Sequence, residues 1–290
     1  MKILVIGSGF IAASIIQRLQ WEGHNIMTYS RNFNKTISCE QFLGDIFDYK
    51  NFQRVFSWQP EVIVHTAWIT EPERYKDDLS NYEYAKFAIE LGNYAHSTGV
   101  EHLIILGSCA EYGSQNERSV AGKTKLAPTT LYAQQKVVAF NAIKEKLKTS
   151  STRFTWARVF FPYGPNQNRK RLIPYLIDSL NDSKPILFYD SNSRSDWITT
   201  RDIATAISWV IHKKLPLEID IGTSIGYTNL ELLHCLREIM KISSKAPIHM
   251  HENLGLNEVA VASKDSPLLS SGWMPMDSLD SGLVWVLENE

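Results

Sequence analysis

Residues 2–12 read Lys2-Ile3-Leu4-Val5-Ile6-Gly7-Ser8-Gly9-Phe10-Ile11-Ala12. A short apolar run bounded by a turn signal has the pattern of a buried strand, and apolar residues recurring at helical spacing beyond the turn have that of a helix. Lys2 to Ile6 is therefore read as a strand and Phe10 to Glu22 as a helix stopped by Gly23. The turn between them has the form GxGxxA. Glycines there permit a tight turn and let a pyrophosphate approach backbone N–H groups at the helix N-terminus. Gly7, Gly9, Phe10 and Ile11 are thus candidate dinucleotide contacts. A competing reading exists for the same segment. Met1-Lys2 followed by the apolar run Ile3 to Ile16, with Ala12-Ala13-Ser14 near its end, imitates a secretory signal. The glycine turn fits strand, turn and helix throughout and speaks against it.

Outward from this segment, apolar runs alternate with helical patterns. Asn25 to Tyr29 and Glu61 to His65 read as strands, Leu79 to Ser97 as a helix ended by Gly99, and His102 to Leu106 as a strand. Pro128 to Lys148 reads as a long helix and Thr152 to Val159 as a strand. Such alternation predicts a parallel sheet with right-handed crossovers and helices on both faces. Beyond Val159 the texture changes. Phe161-Pro162-Tyr163-Gly164-Pro165-Asn166 is read as a loop, and Leu172 to Leu180, Ile203 to Ile211 and Leu230 to Ile239 as helices. Ile186 to Tyr189 and Glu218 to Ile221 are read as short strands, and the end of the chain as loop-rich. The expected fold is α/β, a doubly wound parallel Rossmann sheet with a smaller, discontinuous C-terminal substrate lobe. Residues 1–160 with about 197–225 would form the dinucleotide-binding domain, and 161–196 with 226–290 the lobe.

Composition narrows the partners. The 290 residues are 44% hydrophobic and 21% charged, with formal net charge −1. That balance lacks the basic excess that marks nucleic-acid or anionic-membrane binding. No later segment approaches the apolar length of a membrane span. Cys39, Cys109 and Cys235 are widely spaced and form no CxxC pair, which fits a reducing, cytoplasmic setting. The histidines show no ligand spacing of the HExxH type, and His249 and His251, alternating on one segment, lack a third ligand. No metal site is expected from these spacings.

The end of the second strand bears on the choice of dinucleotide. NAD sites usually place Asp or Glu there to bind the ribose 2′-hydroxyl. Here the run is Thr28-Tyr29-Ser30-Arg31, a hydroxyl followed by a guanidinium. A fork of charged donors suits a 2′-phosphate. Ser30 and Arg31 are therefore candidate contacts, with NADP the expected cofactor and NAD the alternative.

The candidate chemistry lies in Tyr132-Ala133-Gln134-Gln135-Lys136, preceded by Leu106-Gly107-Ser108 at a strand end. Residues four apart share one helix face, so phenol and ammonium can serve one site, with the ammonium favouring phenolate. Tyr82 and Lys86 repeat the spacing. They precede the Ser108 strand, however, whereas Tyr132 lies on the helix that follows it.

The whole chain resembles the extended short-chain dehydrogenase/reductases, the family of nucleotide-sugar epimerases, 4,6-dehydratases and 4-ketoreductases. Gly9-Phe10-Ile11 resembles the family's GFIG turn, Gly44-Asp45-Ile46 its adenine-contacting GD(I/L), and His65-Thr66-Ala67-Trp68 its HxAA strand end. Gly107-Ser108-Cys109-Ala110-Glu111-Tyr112-Gly113 resembles S-S-x-x-V-Y-G, and Arg158 to Pro165 resembles R-x-x-N-x-Y-G-P. Asp196-Trp197-Ile198 is similar to the RDFI segment and Ile221-Gly222-Thr223 to the NIG strand end. Ser263-Lys264, Gly272-Trp273-Met274-Pro275 and Ser278-Leu279 through Gly282-Leu283 resemble the C-terminal SK…GWxP…SLxxGL signature.

The resemblance implies that Tyr132 donates or accepts the proton, Lys136 binds the nicotinamide ribose and tunes Tyr132, and Ser108 positions the substrate oxygen. Asp45, Ile46, Ala67 and Phe161 join the cofactor side, while Trp68, Cys109, Arg171 and Arg194 join Ser108 and Tyr132 on the substrate side. It also implies a homodimer acting on a nucleotide sugar. Departures shape the expected reaction. Phe161 replaces the asparagine of R-x-x-N, and Ser195 stands where the diphosphate-binding arginine belongs, leaving Arg194 or the Arg169-Lys170-Arg171 cluster to supply that charge. Cys109 and Ala110 occupy the positions of the dehydratase acids, with Glu111 one place later, which disfavours dehydration. The expectation is NADPH-dependent reduction of a 4-keto nucleotide sugar, with a nucleotide-sugar 4-epimerase retaining NAD as the alternative. A small-molecule ketone reductase and a noncatalytic NADP-sensing protein rank below both.

Overall fold

The structure, a computed structural model, describes residues 1–188, 192–242, 248–250 and 258–289. In chain order its first half contains β1 (Lys2–Ile6), α1 (Phe10–Trp21), β2 (Asn25–Ser30), β3 (Glu40–Leu43), α2 (Tyr49–Val55), β4 (Val62–His65) and α3 (Ser80–Thr98). Next come β5 (His102–Ser108), α4 (Leu131–Leu147), β6 (Arg153–Val159), β7 (Phe161–Tyr163), α5 (Leu172–Asn181) and β8 (Ile186–Phe188). The remainder holds β9 (Arg194–Ser195), β10 (Trp197–Thr199), α6 (Thr200–His212), β11 (Glu218–Ile221), α7 (Asn229–Ile239), β12 (Ile248–Met250), β13 (Val259–Ala260), α8 (Pro267–Ser270) and α9 (Leu279–Glu288).

Seven strands form one parallel sheet in the order β11-β6-β5-β4-β1-β2-β3. The period of two along each strand divides the core between its faces. Leu4, Ile6, Ile63, Leu103, Ile105 and Trp156 pack with α2, α3 and α4 on one side. Ile3, Val5, Val62, Val64, Ile104 and Ile219 pack with α1 and α6 on the other. The expected doubly wound Rossmann fold is observed, and the run Ile3 to Ile16 falls in β1 and α1, with β1 inside the sheet between β4 and β2. The strand order reverses between β1 and β4, and in open α/β sheets the crevice beyond the strand ends at such a point takes ligands.

A third apolar cluster, including Tyr163, Leu176, Trp197, Leu232 and Leu283, unites α5, α7 and α9 beyond the main sheet. Several readings of the sequence change here. Phe161 to Tyr163 is a strand paired in parallel with β10, not a loop, and the end of the chain carries α8 and α9. β3 and α2 had no sequence expectation. Tyr189 and His251 lie outside the described residues, as does the His249 side chain.

Two boundary shifts position the site. β5 continues to Ser108, which pairs with Val159 of β6. α4 begins at Leu131 instead of Pro128, because Thr130 is extended and its side chain caps the helix by accepting from the Ala133 N–H at 3.3 Å.

Candidate active site

The crevice at the β1–β4 reversal is lined by Gly7, Gly9, Phe10, Ile11, Ser30, Arg31, Asp45, Ile46, Ala67 and Trp68. The expected cofactor-side positions of the first half-domain thus meet in one cleft. Gly7 has φ +117°, and a Cβ there would stand 2.4 Å from Thr66 Oγ1, so the β1 turn can lie against the end of β4 only with glycine. At Gly9 a Cβ would meet nothing within 4 Å. The backbone there opens onto free space at the start of α1, and Gly9 caps that helix without a side-chain hydrogen bond. Its first N–H groups are available to an anion. These features fit a dinucleotide whose pyrophosphate lies over the glycine turn.

At the second-strand end, Ser30 Oγ donates to the Asn32 carbonyl at 2.9 Å. Arg31 is exposed, and among the described residues its guanidinium is held in no ion pair. Asp45 accepts from the Phe47 N–H at 3.0 Å through its side chain, while its carbonyl accepts from Tyr29 OH at 2.8 Å. Thr66, Thr70 and Tyr84 also line the cleft and were not singled out from the sequence. Tyr84 lies in α3, far from any motif, and only the packing of α3 beside the sheet brings it in.

The reacting end is assembled after β5. The Ser108 hydroxyl lies close to the Tyr132 phenol and favours its charged form. Beneath it, Glu111 Oε1 accepts from the Ser108 N–H at 2.8 Å, and Glu111 Oε2 is ion-paired to Arg158 Nε at 2.7 Å with neither side chain exposed. Trp156 Nε1 donates to the same carboxylate at 2.9 Å. Glu111 is therefore consumed in holding the β5 turn from below and does not face a substrate. Removing one partner of so buried a pair costs about 3–5 kcal/mol.

Lys136 is 2% exposed; its Nζ donates to the Leu106 carbonyl at 2.8 Å and lies 3.9 Å from the Trp68 ring centre. It does not line the cleft; Trp68 does, and Trp68 touches both. Burial pushes the Lys136 ammonium down to about 7. Burial likewise pushes the Tyr132 phenol up, opposed by the Ser108 hydrogen bond, with Glu111 adding to the rise. The ammonium is directed at a carbonyl and an indole, and it stands 5.3 Å from the phenol ring centre.

The expected substrate-side residues divide. Trp68 Nε1 donates to Asn81 Oδ1 at 2.7 Å, and its ring meets Tyr132 edge-on with centres 6.2 Å apart. Arg171 donates to the Thr70 carbonyl and lies over Tyr75, whose ring meets Tyr132 edge-on at 5.1 Å, so Arg171 reaches the site's rim. Arg194 does not join it: its guanidinium pairs with Glu231 at 3.1 Å and donates to the Gly226 carbonyl. Burial pushes the Cys109 thiol up to about 12, which removes it as a nucleophile at neutral pH. Phe161 packs against the Tyr112, Phe160 and Ala262 cluster and its ring lies 5.3 Å from that of Trp197, away from the cleft lining.

Comparison with known proteins matches this geometry. The sequence profile of the NAD-dependent epimerase/dehydratase family fits residues 3–222. The chain belongs to the NAD-dependent epimerase/dehydratase family. Among its relatives, a UDP-glucose 4-epimerase of Lactobacillus helveticus is 23% identical over 95% of this chain and 92% of its own length. The fold is shared with UDP-glucose 4-epimerase from Thermotoga maritima, solved with UDP-glucose, at TM-score 0.86 and 20% identity over 100% of this chain and 98% of that one. It is shared also with dTDP-glucose 4,6-dehydratase from Bacillus anthracis, solved with NAD, at TM-score 0.85 and 22% identity over 100% and 97%. In this chain Tyr132 and Lys136 lie on one face of α4 beside the end of β5 at Ser108, and positions 109 and 110 are Cys and Ala.

Proposed function

We propose that this enzyme is a nucleotide-sugar 4-epimerase that keeps its nicotinamide dinucleotide through each turnover. The observation carrying this reading is a single proton-transfer cluster, Ser108 beside Tyr132, with no second acid–base pair next to it among the described residues. The carboxylate of Glu111, beside Ser108, is committed to Arg158. Epimerisation needs a proton removed from one hydroxyl and later returned, whereas elimination needs a further acid and base. The relatives named UDP-glucose 4-epimerase, matched over nearly their whole length, support the same choice. Bound dinucleotide would accept hydride from C4 and return it to either face. Tyr132 would take the C4 hydroxyl proton, Ser108 would hold that oxygen, and Lys136 would bond the nicotinamide ribose from beneath, which would help to keep its ammonium charged. In this proposal residues 161–196 with 226–290 close the sugar side, and Arg171 supplies positive charge at its rim. Exposed Leu79, Tyr82 and Val138 near and on α3 and α4 favour a homodimer through those helices, read by light scattering.

A second reading is NADPH-dependent reduction of a 4-keto nucleotide sugar. It rests on Arg31, unpaired at the cleft where an acid would bind a 2′-hydroxyl. The deciding experiment extracts nucleotide from the purified protein and incubates it with UDP-glucose, UDP-galactose and UDP-N-acetylglucosamine. Co-purified NAD with interconversion of a 4-epimer pair supports the epimerase. Absence of bound nucleotide, no interconversion, and NADPH oxidation that depends on an added 4-keto sugar would replace it with the reductase. In that case Arg31→Ala should weaken NADPH about tenfold more than NADH.

A further inference from the structure

At the end of the strands opposite to the cofactor cleft, the end of α1, the turn into β2 and the end of α6 bring Glu22, His24 and His212 together. One ligand-capable atom from each lies within 4.8 Å of the others. Glu22 Oε2 is 3.6 Å from His24 Nε2 and 3.6 Å from His212 Nε2. The two imidazoles lie with ring centres 5.5 Å apart and planes inclined by 30°. These separations are too long for hydrogen bonds, which reach about 3.2 Å. They approach the edge of a tetrahedron, because ligands about 2.0–2.1 Å from zinc stand about 3.4 Å from one another.

Two further observations point to a ligand. His24 Nε2 is buried with no hydrogen-bond partner among the described residues, on a side chain 10% exposed. A buried polar atom left unmet is costly, and native structures supply it with a partner or an ion. The carboxylate is also held from behind. Arg18 Nε donates to Glu22 Oε1 at 2.6 Å, and Ser208 Oγ lies 2.6 Å from Oε1 and 2.8 Å from Oε2. Outer donors of this kind fix a ligand's orientation, and here they leave Oε2 turned toward both histidines.

We propose that Glu22, His24 and His212 form a binding site for a divalent transition-metal ion of the zinc type, with water completing its coordination on the half-exposed His212 side. Two imidazoles and a carboxylate are a donor set that suits zinc. The site is remote from the cofactor cleft, so the ion would act as a clamp. It would tie the α1–β2 turn to α6, whose side chains share one core with α1 beneath the sheet. The Arg18 guanidinium and the Met1 amino group oppose a cation there, while Glu22 and Glu61 favour it.

The test uses the full chain without an affinity tag, stripped with chelator and titrated separately with Zn2+ and Co2+. One equivalent should bind, Co2+ should give the visible absorption of a tetrahedral site, and Zn2+ should raise the melting temperature. His212→Gln, at a half-exposed position that leaves the core untouched, should weaken binding about tenfold or more. His24→Gln should do the same, and the double variant should abolish the cobalt spectrum. Tyr132→Phe should leave metal binding unchanged. The proposal is overturned if Zn2+ in tenfold excess shifts nothing, or if binding and spectrum survive in the double variant.

Discussion

The two halves of the cleft are built on different principles. After β1, the cofactor side is mostly bare backbone: Gly7 in a positive-φ turn, Gly9 open to space, and a helix start with no side-chain cap. After β5, the reacting side is a set of side chains that satisfy one another: Ser108 on Tyr132, Lys136 on the Leu106 carbonyl and Trp68, and Glu111 on Arg158. A backbone cradle tolerates no added atom at Gly7 but needs no partner. A side-chain cluster tolerates small changes of shape, yet each member fixes the next. Mutations in the first half should therefore strike binding, and those in the second should strike the chemical step or the stability of its neighbours.

The largest expected effect comes from Tyr132→Phe. Losing a positioned acid–base group should lower kcat about 10²–10⁴-fold, while cofactor affinity, read by fluorescence titration, stays near the parent's. A large loss of cofactor affinity would erase the proposed division between the halves. Gly7→Ala should behave in the opposite way. Its φ of +117° and the 2.4 Å approach to Thr66 Oγ1 strain any Cβ, so cofactor affinity should fall and the melting temperature drop by the equivalent of about 1–3 kcal/mol. At saturating cofactor its kcat should be largely kept. Trp68→Phe is smaller again. It strands the buried Asn81 Oδ1, now bonded by the indole at 2.7 Å, and should destabilise the fold by about 1–3 kcal/mol in urea melts.

The same contrast explains what could be read from the sequence. The β1–α1 cradle is local, so Gly7-Ser8-Gly9 and its flanking apolar runs announce it within a dozen residues. YxxxK is local too, and its order after the Ser108 strand separates Tyr132 from Tyr82. The partners are not local. Glu111 looked like a displaced acid until β6 placed Arg158 beneath it, and Arg194 looked free until α7 brought Glu231 beside it. β3 was invisible because Glu40–Leu43 sits at the sheet edge, half-exposed and without an apolar period. α9 was hidden by Gly282, a residue that argues for loop by propensity. In the fold, a Cβ there would stand 2.0 Å from the Tyr163 hydroxyl, so close helix packing selects the glycine instead. Glu22, His24 and His212 met no spacing rule, since the packing of α6 against α1 creates their proximity.

The gentlest probe of the side-chain half is pH. Burial holds the Lys136 pKa at about 7, well below its value in an unfolded chain, about 10.4. Between these two values the unfolded state binds the proton that the folded state has released. Stability must therefore rise with pH across that window, by at most about 1.4 kcal/mol per unit from this group. Below pH about 7 both states carry the proton, and the contribution is flat at its lowest level. Urea melts of nucleotide-stripped protein from pH 7 to 9.5 should show the rise, and Lys136→Met should flatten it. Added dinucleotide should flatten it as well if Lys136 turns toward the ribose, because a hydrogen-bonded ammonium is easier to keep charged. An equal slope in parent and Lys136→Met would mean that the lysine is not held neutral by its surroundings, and that Trp68 and Leu106 do not confine it as the geometry implies.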